Sequence, residues 1–382
     1  MVYIDTTQKL NNFIDKALKS KVIFIDTEFM REKTYYPQLS LIQFQIGDES
    51  FIFDPFCFKN IKPLAKVFDA EDVLKVFHAS AQDLEILYYE TGVVPHPLFD
   101  TQLAAAVTDG LNQPGLANLL KKSLGISIDK SEGFTDWNKR PLTEKQLEYA
   151  IEDVLYLPEL FDYQCKKMKM LGRESWLDYE FVELSRQDRF DEDPRERYMH
   201  LKHVNKLKPR QLALARELAA WRENRAKKLN IPRKWVLTDE QVTEICKRDP
   251  KTIDALFNVR GVQNSLKISE AREVLDALKA GRKCDKADYP QLADSGAAEE
   301  NVDDIVFLMN ALLKLRATQN CIAQSVIANN HDLVDLARGK RKKSPLLKGW
   351  RKELVGQELI DLLDGKIGIT CSNGALKVQH LG

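Results

Sequence analysis

The chain has 382 residues, 44% of them hydrophobic, with 57 basic and 57 acidic side chains, enough for two or three domains with large cores. No apolar run approaches the roughly 18 residues of a membrane span, and the opening Met1-Val-Tyr-Ile-Asp-Thr-Thr-Gln-Lys lacks the basic-then-apolar order of a signal peptide, so a cytoplasmic protein without a membrane partner is expected. Six scattered cysteines form no Cys-x-x-Cys pair and six histidines no His-x-x-x-His pair, which argues against a disulfide framework or a zinc site and leaves carboxylates as ligands for a hard ion such as magnesium or manganese.

The first strong local signal is Val22-Ile-Phe-Ile, a β-branched and aromatic run that predicts a strand buried on both faces. Asp26 ends the run, and the two-residue strand period puts Asp26 and Glu28 on one side. Two carboxylates facing one spot need a cation, although a solvated strand end would show the same pair. Tyr35-Tyr-Pro marks a turn, residues 39–46 a second strand, and Gly47-Asp-Glu a short turn into an antiparallel third strand at 50–54. A helix is expected over 60–69, a strand over 73–77 and a helix over 81–90 ended by Thr91-Gly92.

Asp83 falls in the first turn of that helix, where the dipole favours an acid, and Ser80 three residues earlier completes a capping-box pattern. His78 has no second histidine beside it and reads as a packed strand-end residue. Helices are expected at 100–109 and 115–124, then a polar loop over 125–142. Thr143 and Gln146 cap a helix of residues 144–160, with Leu147, Ala150, Ile151 and Val154 as its core stripe and Pro158 as its kink or end. Tyr149 and Asp153, four apart, share one face beside that stripe, as an exposed tyrosine and acid also would.

The order Asp26-x-Glu28, then Asp83, then Tyr149-x-x-x-Asp153 resembles the tyrosine branch of the DEDD exonuclease superfamily. The connecting text, Phe24-Ile-Asp-Thr-Glu-Phe, Tyr35-Tyr-Pro-Gln-Leu, His78-Ala-Ser-Ala-Gln-Asp-Leu-Glu and Gln146-Leu-Glu-Tyr-Ala-Ile-Glu-Asp-Val, resembles the ribonuclease D family along essentially the whole chain. The resemblance implies an α/β ribonuclease H-like exonuclease domain over 1–200, followed by two all-α HRDC-like helical domains over 206–282 and 301–375. It implies two divalent ions, Mg²⁺ or Mn²⁺, with Asp26 bridging both, Glu28 and Asp153 completing the shell of the ion that carries the attacking water, and Asp83 holding the second. Tyr149 would orient that water; a phenol of ordinary pKa, about 10, is a poor base at neutral pH.

After residue 185 the composition turns polar, and a helix is expected from 210 to 228. Leu218-Ala-Ala-Trp-Arg-Glu, Asn230-Ile-Pro and Leu256-Phe-Asn-Val-Arg-Gly resemble the HRDC domain, a nucleic-acid-binding module, with a scaffold role as the alternative. Residues 206–282 hold 18 basic and 10 acidic side chains, and residues 338–352 hold eight basic and none acidic. An acidic body with basic appendages suits a polyanion. Arg222, Arg225 and Lys228 are the expected nucleic-acid contacts, and Lys340-Arg-Lys-Lys is either a phosphate-contacting loop or a solvated turn. Residues 282–300 are expected to be a polar linker.

These readings converge on a metal-dependent 3′-5′ exoribonuclease acting on RNA with a 3′ tail, tRNA precursors by resemblance, with no obligate protein partner evident. A DNA 3′-5′ exonuclease is the alternative enzyme, since no motif here reads a 2′-hydroxyl; a non-catalytic nucleic-acid-binding protein is the alternative outside catalysis.

Overall fold

A computed structural model describes residues 1–128, 133, 135–292 and 301–381. Among these, residues 1–28, 40–186 and 301–381 form one compact unit, and residues 29–39 and 187–292 another. The expected linker lies outside the described residues over 293–300, as does part of the 125–142 loop.

The first unit is built on a mixed sheet of six strands: β1 (Val2–Ile4), β2 (Val22–Met30), β3 (Gln38–Ile46), β4 (Glu49–Phe53), β5 (Leu74–Phe77) and β6 (Leu98–Asp100). Their spatial order is β1-β4-β3-β2-β5-β6. The expected hairpin is present, with β3 antiparallel to β4, while β2, β5 and β6 run parallel. β1, β6 and the first helix, Thr7–Ala17, were not anticipated from the sequence; the helix packs Phe13 against Phe44 and Phe51, with ring centroids 4.5 and 5.2 Å apart. Over 60–69 the expected helix is only a short 3₁₀ turn and the helix Ala65–Phe68.

Pro158 acts as anticipated. The helix Glu144–Leu155 stops, and Leu157–Leu171 begins with Pro158 in its first turn, where its missing N–H costs nothing. The expected capping box at Ser80 does not form. Ser80 is helical, and its hydroxyl and amide both donate to Asp100, at 2.8 Å each. His78 is held by Thr101 and the Pro114 carbonyl, 2.9 and 3.0 Å away.

Residues 301–381 share a hydrophobic core with the sheet region: Met309, Leu312 and Leu313 of the helix Asp303–Gln319 belong to the same cluster as Phe24, Val76 and Phe99. Trp350 stacks on Trp176 at 4.3 Å, and Arg173 donates to the carbonyls of Val107 and Asn320. This otherwise helical region ends in a hairpin, β7 (Ile367–Ser372) and β8 (Ala375–His380). Asn373 and Gly374 both take positive φ there, as a tight hairpin turn requires, so the expected all-α region carries a hairpin whose Asn-Gly signal the sequence reading passed over.

In the second unit the helix Pro209–Leu229 ends at Asn230 in the left-handed conformation, and Asp239–Arg248 starts with a Thr238/Gln241 capping box. These helices and Ile268–Arg282 bury Leu214, Leu218, Ile245, Val274 and Leu278 in a core of their own. Residues 29–39 join this unit through Tyr35, whose hydroxyl donates to Glu223 and accepts from Arg233 at 2.9 Å.

Candidate active site

Asp26 and Glu28 come from β2, whose buried run Ile23-Phe24-Ile25 pins the strand between neighbours and so presents both carboxylates on one side. β5 lies beside β2, Phe24 opposite Val76, and the chain passes from β5 through residues 78–80 into the helix Ala81–Thr91, delivering Asp83. Thr27, between the two strand carboxylates, donates its hydroxyl to Asp83. Asp83 is therefore a buried, oriented carboxylate and not a helix cap.

The helix Glu144–Leu155 supplies Tyr149 and Asp153, and its position is set by a polar anchor. Arg140 grips Asp54 through Nε and Nη2, at 2.6 and 2.9 Å, and donates to the Ser40 carbonyl at 2.7 Å; Tyr3 donates to the same carboxylate at 2.7 Å. A two-pronged guanidinium contact fixes orientation as well as distance. Trp137, fully buried with Leu41, Ile52 and Ala150, lies 5.9 Å from the Tyr149 ring between centroids. The sequence contained these residues, but nothing in their spacing revealed that they pair across so much chain.

Asp26, Glu28 and Asp153 each offer a carboxylate oxygen, and these oxygens lie within 4.8 Å of one another. Each keeps part of its surface open although protein surrounds it closely. Burial first, then the charges of Asp153, Asp83 and Glu28, hold the Asp26 carboxyl well above the usual carboxylate range. Glu28 is pushed up to about 9 by burial and then by Asp153 and Asp83. Asp83 is raised to about 7, chiefly by burial and against the Thr27 hydrogen bond. All four acids thus act on one another electrically, with no Lys or Arg bridged to Asp26, Glu28 or Asp83 among the described residues. Tyr149 is raised above the ordinary phenol value by burial, by Asp153, Glu28 and Asp26, and by its hydrogen bond to Asp153. It stays protonated and is a donor.

The basic trio expected to bind nucleic acid stands differently. Arg222 is buried, with Nη1 donating to Asp239 at 2.7 Å and to the Leu237 carbonyl at 3.1 Å. Arg225 pairs with Glu270 and Glu273. Both guanidiniums are committed inside the helical unit because acids from neighbouring helices reach them, which corrects their expected role as open phosphate contacts. Lys228 is exposed.

Residues 1–169 match the 3′-5′ exonuclease family and residues 211–278 the HRDC domain family. The chain is 37% identical to ribonuclease D of Bartonella henselae, across 100% of this chain and 94% of that protein. It is 36% identical to ribonuclease D of Sphingobium indicum, across 99% and 98% of the two. Among solved structures, Escherichia coli RNase D, an exoribonuclease involved in structured RNA processing, superposes with a TM-score of 0.80 at 25% identity, over 95% of this chain and 98% of that one.

Proposed function

The chain belongs to the ribonuclease D family and is a 3′-5′ exoribonuclease, and from that premise we propose that it trims RNA 3′ ends, tRNA precursors foremost, by two-metal-ion phosphodiester hydrolysis in the cytoplasm. The observation that supports the mechanism is the group of three carboxylates within 4.8 Å of one another, of which Asp26 and Glu28 are raised in pKa by burial and by the charges of their neighbours. Such a donor set fits hard divalent cations, which relieve that repulsion, better than it fits any arrangement of the protein alone.

Asp26, Glu28 and Asp153 would hold one ion, and Asp83 would share the second with Asp26. Mg²⁺ or Mn²⁺ bound there supplies Lewis-acid stabilisation of the charge that develops on the phosphate oxygens. Asp26 and Glu28 keep their spacing because β2 is locked by its neighbours, and Asp83 keeps its rotamer because Thr27 holds it. The protonated Tyr149 hydroxyl positions the attacking water and does not remove its proton. The HRDC region, 206–282, and the helical region, 301–375, act as accessory parts that engage the body of the RNA. No helix among the described residues is long and apolar enough to cross a membrane.

End-labelled RNA and DNA of matched sequence, incubated with the protein and Mg²⁺ or Mn²⁺, provide the test. A ladder shortening from the RNA 3′ end, abolished by EDTA, is expected. Internal cuts, preference for DNA, or turnover that survives EDTA would overturn the proposal.

A further inference from the structure

Away from the acidic site, a second concentration of charge lies in the loop after the helix Asn330–Ala337, within the same unit as the sheet. Gly339 turns the chain with φ +81°, residues Arg341–Lys343 form a 3₁₀ turn, and the segment borders a recess of about 620 Å³. Two acids line it as well, and both are occupied. Asp335 holds Lys340 at 2.8 Å, and Asp332 accepts from the Asn329 amide at 2.9 Å as part of a helix cap. Arg341 is drawn to Asp364, 2.7 Å away.

That accounting leaves Lys342 and Lys343. Both are exposed, line the recess and have no ion pair among the described residues. Ser344, also lining it, is only 5% exposed, and its hydroxyl has no hydrogen-bond partner. That hydroxyl is closed to solvent, so what the recess presents to an anion is the two uncompensated lysine ammonium groups. The loop carries no exposed aromatic or large apolar side chain, and lysine is depleted where proteins meet proteins.

We propose that this recess is a phosphate subsite for the RNA backbone, with Lys342 and Lys343 contacting phosphates. It offers no aromatic surface on which a base could stack, and it adds affinity for RNA long enough to reach it. The inference rests on the reading of the chain as an RNA nuclease.

The test compares the intact protein with its Lys342→Ala/Lys343→Ala variant, binding a long structured RNA in EDTA across a range of salt. A Lys62→Ala/Lys66→Ala variant, which removes two exposed charges elsewhere on the same unit, controls for net charge. The loop variant is expected to bind about tenfold more weakly at low salt and to lose about 1.4 to 1.8 from the slope of log affinity against log salt, the share of two phosphate contacts. The control keeps its slope, and metal-dependent turnover of a short oligonucleotide is the same for all three proteins. An unchanged slope in the loop variant, or an equal loss in the control, overturns the subsite and leaves the cations to solvent or a protein partner. Because binding is read without metal, it judges the loop even if no RNA is degraded, an outcome that would instead count against the nuclease reading.

Discussion

The acidic site on the sheet and the basic helix Pro209–Leu229 both gather like charges, and they handle them in opposite ways. At the site, four carboxylates come from three separate elements, burial and the neighbouring acids raise the pKa of Asp26 and Glu28, and three of the four crowd within 4.8 Å. On the helix, Arg216 meets Glu217, Arg222 meets Asp239 and Arg225 meets Glu270. The acids of the helical unit serve largely as internal partners for its bases. Charge left unmatched in a packed setting marks a place for a ligand, whereas charge matched within the fold marks architecture.

The sharpest way to break that contrast is to remove one unmatched charge. Asp26→Asn or Asp153→Asn is expected to lower turnover by about 10³-fold or more, several kcal/mol of transition-state stabilisation, while the fold survives. Single-turnover kinetics with circular dichroism would check it, and near-normal turnover in either variant would place the catalytic ions elsewhere.

Tyr149→Phe should cost about 10² in turnover with metal binding intact, because the ring and its packing against Trp137 remain and only the positioning hydroxyl is lost. Unchanged kinetics would make the tyrosine purely a packing residue.

Arg222→Ala tests the matched side of the comparison. It strips Asp239 and the Leu237 carbonyl of their partner and leaves a void, so a loss of about 2 kcal/mol is expected, less than for a fully buried pair because Asp239 is a quarter exposed. Chemical denaturation measures it. A drop in RNA affinity with no loss of stability would return Arg222 to the binding surface.

A further effect concerns pH. A carboxylate whose folded-state pKa lies above its unfolded value contributes fully only below the unfolded value and loses that contribution as pH rises through the folded one. Glu28, at about 9 against an ordinary 4.5, and Asp83, at about 7 against 3.8, both have that sign. The metal-free protein should therefore lose thermal stability from about pH 4 up to about pH 9, and Mg²⁺ or Mn²⁺ should restore it. A melting temperature that rises over that interval in EDTA would contradict the assigned repulsion.

Local patterns made much of this molecule legible. The period of β2 placed Asp26 and Glu28 together, the Thr143/Gln146 box located the helix with Tyr149 and Asp153, and Pro158 marked its break. Where two local explanations competed, the pattern could mislead. Ser80 looked like a cap because its spacing from Asp83 was right, but Asp100, from a strand too short to stand out, takes its hydroxyl.

The chain's own order of residues determined which side chains share a strand or helix face, because backbone periodicity is a local property, and it determined the order of the acidic motifs. It did not determine which charges have partners. That depended on packing: Arg140 finds Asp54, 86 residues away in sequence, and Thr27 finds Asp83 across β2 and the helix that follows β5. Arg222 and Lys342 are both plain cations in the sequence, and what separates them is an ion pair, with Asp239 for the first and with no acid among the described residues for the second. Ion pairs are set by distance in space, and sequence separation carries almost no information about that distance until the core has closed.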